Sequence, residues 1–318
     1  MYADIILETK GNHRFPGYVK KYLGPWAFWI AIFTAIIQSL VVLTIYLTLA
    51  RSFLDVLFSS NAELIKVLFF WIISSLGIFL SLSNLASIEL WITFGIMAII
   101  FFIFGLGFTE LKTLNLNYFL PNWSLVFMPL GPILFALSGR VAIPALVDYF
   151  RDLKLSTLSD LKRAIEWGTI LPAIIYAGFV FGIASLSPAI TVDAISGLAG
   201  SVPYLALALV AVLGLLSLFS SYIVIGLDVV KTLSYDLKIP PAALKNSIVI
   251  GVPILIYLAG FKNFIQLISF AGGIFLSLES IFVIAMWLCL RHPKRLFLAL
   301  LPILLFGTAL FYEFLKLA

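Results

Sequence analysis

One interrupted apolar stretch constrains this chain more than any other feature. Residues 123–147 read WSLVFMPLGPILFALSGRVAIPALV, which is long and apolar enough to cross a bilayer, because a crossing takes about 20 residues. Prolines, glycines and an arginine break the stretch, although a helix that only anchors a protein has no use for them. Backbone groups freed at membrane depth are tolerated only against protein or a wet cavity. Interrupted helices of this kind are typical of the binding sites of secondary transporters.

The composition predicts a membrane protein along the whole chain. Sixty-three per cent of the residues are hydrophobic and 11% are charged, about half the charge of a soluble domain, and the mean hydropathy is +1.15. Windows of about 19 residues predict nine spans. They lie near 26–50, 64–82, 85–108, 123–147, 164–186, 203–227, 244–260, 263–288 and 296–315. The seventh span is short for a full crossing.

Basic residues are concentrated in alternate loops and predict the orientation. One set of loops holds Lys10, Arg14, Lys20, Lys21, Arg151, Lys154, Lys162, Arg163, Lys231, Lys238, Lys245, Arg291, Lys294 and Arg295. The other set holds Arg51, Lys112 and Lys262. Because Lys and Arg favour the cytoplasmic side, we expect a cytoplasmic N-terminus and an external C-terminus in the cell (inner) membrane. The net charge of +5 is spread over short loops, so we expect no nucleic-acid partner.

Four segments together resemble a known transporter family. They are TKGNHRFPGYVKKYLG before the first span, LFALSGRVAIP in the interrupted span, TVDAISGLAG in an external loop and SLFSSYIVIGLDVVKTLSYDLKIP at the end of another span. In order and spacing they are similar to the aromatic and hydroxy amino acid permease family of the amino acid–polyamine–organocation superfamily. The resemblance covers essentially the whole chain, although no single motif is diagnostic. It implies an all-α integral membrane protein with the LeuT-like fold, which has eleven helices and two inverted repeats of five.

The resemblance also implies how the chain is organised. It makes the nine spans equivalent to the third to eleventh family helices, and the apolar stub 2–7 the end of the second. A single transmembrane domain, 1–318, then comprises a stub and cytoplasmic loop (1–25), the remainder of the first repeat (26–122), the second repeat (123–288) and an extra helix (296–315). The family's first helix supplies half the substrate site. We therefore expect a truncated or misplaced start, a separate chain that supplies the first two helices, or a degenerate remnant.

The interrupted span carries the predicted substrate site. We place the unwound point at 136–139 and the site at Phe135, Ala136, Ser138, Gly139 and Arg140. Gly139 would let a ligand approach the backbone, and the Ser138 hydroxyl could donate to it. The alternative is a proline-kinked helix packed by small residues, which are common at membrane helix contacts.

Charged residues inside the spans have two interpretations each. The Arg140 guanidinium matches a substrate carboxylate, but the side chain could also snorkel or pair internally. Glu279 lies at a similar depth, because both spans run from outside to inside, so either an ion pair or a role in proton coupling is expected. Gln38 is expected to form a helix-to-helix hydrogen bond, and Asp228 falls near the cytoplasmic face.

Two adjacent serines are candidates for ion coupling on the resemblance alone. Ser220 and Ser221 lie just past the middle of the span 203–227. In sodium-coupled relatives of the wider fold, hydroxyl residues here coordinate Na⁺, and serine oxygens suit a hard cation. The alternative is interhelical hydrogen bonding, which the generally proton-coupled character of the family favours.

The sequence argues against an enzyme. Its two histidines, His13 and His292, fall in loops, Cys289 is the single cysteine, and no HExxH or Gly-rich phosphate motif is present. We expect no cofactor and no bound metal site. The coupling ion would be H⁺ or Na⁺. The function expected is secondary active transport of amino acids, with aromatic ones among the candidates, by proton-coupled alternating access. The alternative is a non-transporting membrane remnant or scaffold that lacks half of its substrate site.

Overall fold

A computed structural model describes residues 1–9, 13–58, 62–79, 82–109, 125–152, 158–187, 191–291 and 296–317, with the backbone alone for 82–89, 152, 291 and 317. Of these described residues, 85% are helical, and none of them lies in a strand. Some residues discussed above lie outside the described ranges: Lys10, Lys112, Trp123, Ser124, Lys154, His292, Lys294 and Arg295.

Thirteen α-helices and one π-helical segment are described. They are α1 (Tyr2–Glu8), α2 (Phe15–Leu23), α3 (Pro25–Leu57), α4 (Glu63–Gly77), α5 (Leu82–Thr109), α6 (Leu130–Ala136), α7 (Ala142–Asp152), α8 (Leu158–Leu186), α9 (Tyr204–Tyr235), α10 (Ala242–Leu258), α11 (Phe264–Ser269), α12 (Ser277–Arg291) and α13 (Leu296–Leu317). The π segment, Phe270–Leu276, joins α11 to α12.

Six of the described helical stretches are long and apolar enough to cross a membrane. This confirms the prediction of an all-α membrane protein. The predicted spans 64–82 and 244–260 correspond to α4 and α10, which have 15 and 17 residues, and the span 123–147 is divided between α6 and α7. The count of nine crossings therefore stays a prediction.

Helix α3 lies at the centre of the bundle. Its most apolar window is 72% buried inside the protein, whereas the corresponding window of α13 is 17% buried. Its side chains enter the apolar cluster shared with α4, α9 and α10, and also the clusters that it forms with α1, α2 and α12 and with α11 and the π segment. A hydrophobic helix buried on all sides is typical of the interior of a membrane bundle.

Glycines set two close helix contacts. A Cβ on Gly107 would lie 2.7 Å from Cα of Gly182, so α5 and α8 touch through their backbones. Small residues allow such an approach in membranes. A Cβ on Gly272 would overlap the carbonyl oxygen of Gly131. This second contact holds α6 directly against the π segment and brings the interrupted span beside α12.

Candidate functional site

The interrupted span unwinds where the sequence predicts it. Helix α6 ends at Ala136, residues 137–141 are not helical, and α7 begins at Ala142. Short turns replace the helical ladder: the Ser138 amide donates to the Phe135 carbonyl, and the Ala142 amide donates to the Gly139 carbonyl, both at 3.1 Å. Pro144 falls in the first turn of α7, where a missing backbone donor costs little.

Arg140, in this break, forms a buried ion pair with Glu279 of α12. The Arg140 Nη2 donates to Glu279 Oε1 at 3.1 Å, and Arg140 Nε lies 2.7 Å from Glu279 Oε2. The carboxylate side chain is 0% exposed and the arginine side chain 15% exposed. The internal pairing inferred from their similar depth is confirmed. Whether Arg140 binds a substrate carboxylate, or Glu279 couples a proton, stays a prediction.

Two further side chains complete the surroundings of the pair. With its amide nitrogen turned toward the carboxylate, Gln38 of α3 donates to Glu279 Oε2 at 2.7 Å and to Oε1 at 3.0 Å. The Arg140 guanidinium lies 4.6 Å from the centre of the Phe15 ring of α2, a cation–π contact. In that orientation Gln38 makes the helix-to-helix hydrogen bond expected of it. The pair therefore ties the break to α2, α3 and α12, although Arg140 Nε, 2.7 Å from Glu279 Oε2, has no hydrogen bond of good geometry.

The other predicted substrate residues divide into two groups. Phe135 packs against the apolar cluster of α3, α11 and the π segment. Ala136, Ser138 and Gly139 are exposed, and a Cβ built on Gly139 would meet no atom within 4 Å. The backbone at Gly139 therefore faces open space, which a ligand that approaches the backbone requires.

The predicted ion-coupling serines make local contacts. The buried Ser220 hydroxyl donates to the Ser217 carbonyl at 3.1 Å, within α9. The Ser221 hydroxyl forms a hydrogen bond with the Tyr46 side chain of α3. The Ser221 contact is the interhelical hydrogen bond of the structural alternative, whereas the Ser220 contact stays within α9. Among the described residues, no group of three or more His, Cys, Asp or Glu side chains could hold a metal ion.

A small polar cluster lies on the side of the pair predicted to be cytoplasmic. A cavity of about 10 Å³ is lined by Tyr2, Arg14, Arg140, Asp228 and Thr232 among others, which is close to the space that one water needs. Arg14 Nη1 lies 4.0 Å from Asp228 Oδ1. The cluster therefore continues the charged network from Arg140 toward the cytoplasmic face.

Asp236, just beyond the end of α9, is a member of this cluster that the sequence reasoning missed. Its Oδ2 atom is buried with no hydrogen-bond partner among the described residues, and a Cβ on Gly17 would lie 2.9 Å from its Oδ1 atom. Burial raises the pKa of Asp236 to about 6, with Arg14 opposing the rise and Asp228 adding to it. Because the folded protein binds this proton more tightly than the unfolded chain, the stability from Asp236 is present at low pH and is lost as pH rises.

We expect Asp236→Asn to change how stability depends on pH. Wild-type thermal stability should fall as pH rises from about 4 to about 6, and the fall should be much smaller in the variant. The variant should therefore exceed the wild type at neutral pH. Melting of the purified protein in detergent across this range measures both. Identical profiles for the two proteins would contradict the shift. The control is Asp148→Asn, at a 68% exposed position of α7.

Comparison with known protein families gave no matching family model, and comparison with characterised proteins gave no significant relative. The similarity of four segments to the amino acid permeases therefore stays a prediction.

Proposed function

We propose that this chain is a secondary active transporter of amino acids that works by proton-coupled alternating access in a LeuT-like bundle with nine transmembrane helices. One observation carries the proposal: a helix that the sequence predicts to cross the membrane is broken at 137–141, and the break holds an arginine whose partner is a fully buried carboxylate. Discontinuous helices at the bilayer midplane form substrate sites in transporters of this type. Ionisable residues inside membrane spans are costly, and they commonly mark substrate or proton pathways.

The pair suggests how a proton and an amino acid are coupled. A substrate carboxylate that reaches the open backbone at Gly139 competes with Glu279 for the Arg140 guanidinium. If the substrate takes Arg140, the Glu279 carboxylate is left buried with only Gln38 as a donor, and it lowers its energy by binding a proton. Substrate and proton then load together, so that a zwitterionic amino acid and one proton add a single positive charge to the site, and release of both restores the pair.

Uptake into proteoliposomes tests the proposal. The purified full chain should accumulate at least one labelled amino acid from a panel that includes the aromatic ones, and a protonophore should abolish the accumulation under an imposed proton gradient. Uptake that follows a sodium gradient instead would overturn the proton mechanism. No uptake of any amino acid, from protein that is folded and inserted, would favour the non-transporting scaffold.

The proposal includes a cytoplasmic N-terminus and an external C-terminus. After Cys289→Ser, a cysteine in place of Val192, which is 60% exposed in the loop before α9, should react with an impermeant thiol reagent added to intact cells. The matched control is Tyr235→Cys, which is 63% exposed at the other end of α9 and should react only after the cells are opened. The reverse pattern would contradict the orientation.

A further inference from the structure

A second cavity lies at the opposite end of the bundle from Asp236, on the side predicted to be external. It has a volume of about 670 Å³, within the range of small-molecule sites. Its walls come from α3, α10, α11 and α13, and Val41, Ile256 and Phe270 contribute apolar surface. None of the substrate residues proposed above lines this cavity.

A buried carboxylate lines it without a complete set of partners. Glu313 of α13 is 5% exposed, and its side chain lies against the backbone of Gly273 in the π segment. Its Oε2 atom is 3.8 Å from Lys316 Nζ, the long end of an ion-pair distance, and its Oε1 atom is buried with no hydrogen-bond partner among the described residues. A buried carboxylate oxygen without a donor is costly.

Two lysines at the cavity, Lys262 and Lys316, differ in how fully they are paired. Lys262, also at the cavity, is already paired, because its Nζ lies 3.1 Å from Glu63 Oε1. Lys316 is 39% exposed and lies at the long end of an ion-pair distance from Glu313, so its ammonium group is accessible to a ligand. The cavity therefore presents one carboxylate in need of a donor and one partly exposed ammonium group beside it.

We propose that this cavity binds an apolar α-amino acid as its zwitterion. The ligand ammonium donates to the Glu313 carboxylate, and the ligand carboxylate accepts from Lys316. The Oε1 atom is itself buried, and rotation about the last torsion of the glutamate, which is broad, brings it to the ligand ammonium. The ligand side chain lies against Val41, Ile256 and Phe270.

The charge arrangement favours a zwitterion over a singly charged ligand. A simple cation would meet Glu313 but would be repelled by Lys316. A simple carboxylate would meet Lys316 but would be repelled by Glu313. A ligand with both charges a few ångströms apart satisfies both groups, and its apolar body matches the walls. The site lies on residues other than the break, so it goes beyond the proposed function and requires no transport.

Binding to the full chain in phosphatidylcholine nanodiscs tests the site, since this lipid carries no primary ammonium to compete. Titration calorimetry should detect binding of leucine or phenylalanine, whereas leucinol, which lacks the carboxylate, and 4-methylpentanoate, which lacks the ammonium, should bind at least about tenfold more weakly. Equal affinity for leucinol would overturn the role of Lys316. Binding of neither amino acid would overturn the site.

Matched variants locate the binding. Glu313→Gln should weaken the calorimetric affinity by about tenfold or more, and Lys316→Gln should weaken it less, because Lys316 itself is 39% exposed. Glu166→Gln, at an exposed position of α8, should leave it unchanged. If Glu313→Gln leaves the affinity unchanged, the assignment of the ligand ammonium to Glu313 is overturned.

Protection of an engineered thiol from chemical reaction gives a second test of the site, and this test does not require the Glu313 variants to fold. In the Cys289→Ser background, Gln266→Cys places a thiol at the cavity wall. Leucine should slow its reaction with an impermeant reagent several-fold, while the rate at Val192→Cys should not change. Equal rates with and without leucine at Gln266→Cys would overturn the site. This result is independent of uptake, so it separates failure of the site from failure of the proposed transport.

Discussion

Arg140→Met and Glu279→Gln should each lower the thermal stability of the purified protein strongly, and the double variant should regain much of the loss. Glu279 is 0% exposed and lies 2.7 Å from the guanidinium. Removing one partner of a buried pair strands the other charge and typically costs about 3–5 kcal/mol. In the double variant no charge is stranded, and the new glutamine amide can exchange hydrogen bonds with Gln38. Unfolding in detergent, followed by tryptophan fluorescence, measures all the variants.

An exposed pair on α7 provides the control. Arg151 Nη1 lies 3.8 Å from Asp148 Oδ1, and their side chains are 52% and 68% exposed. Such pairs contribute at most about 1 kcal/mol, so Arg151→Met should change the stability little. If the losses at Arg140 and Glu279 were additive, the two residues would not stabilise each other, and Arg140 would be free to bind a substrate carboxylate.

The features that depend on depth in the membrane could be predicted from the sequence. Proline and glycine placed the break within residues 136–139, and the structure unwinds at 137–141. Arg140 and Glu279 were matched because both spans run in the same direction, and residues at equal distances from the same face lie at similar depth. The sequence also indicated that the seventh span is short, and the corresponding helix, α10, has 17 residues.

The features that depend on rotation about the helix axes could not be predicted. Depth does not say which face of a helix meets which neighbour, so neither the Phe15 ring beside Arg140 nor the contact between Ser221 and Tyr46 follows from hydropathy. The π segment was missed because a single wide turn leaves the apolar pattern of the span intact. Its one signal was the pair Gly272–Gly273. Glu313 was missed because a carboxylate near a span end is usually solvated, whereas here it is buried.

Gly139→Leu should abolish amino acid uptake while leaving insertion and folding intact. A Cβ at this position would meet no atom within 4 Å, and the break is not helical, so the fold tolerates the side chain. The proposed ligand does not, because the leucine side chain would fill the space where the ligand meets the exposed backbone beside Arg140. Initial uptake rates in proteoliposomes, normalised to the amount of folded protein, measure the loss.

Gly105→Leu is the matched control, because a Cβ on Gly105 also meets no atom within 4 Å, on the exposed side of α5. This variant should transport at the wild-type rate. Gly131→Leu marks the opposite case: its Cβ would lie 3.0 Å from the Ser269 carbonyl oxygen, so that substitution should damage the fold itself. If Gly139→Leu transports with unchanged kinetics, the open backbone at the break is not where the substrate binds. Arg140 and Glu279 would then act as a structural clamp between the broken helix and α12.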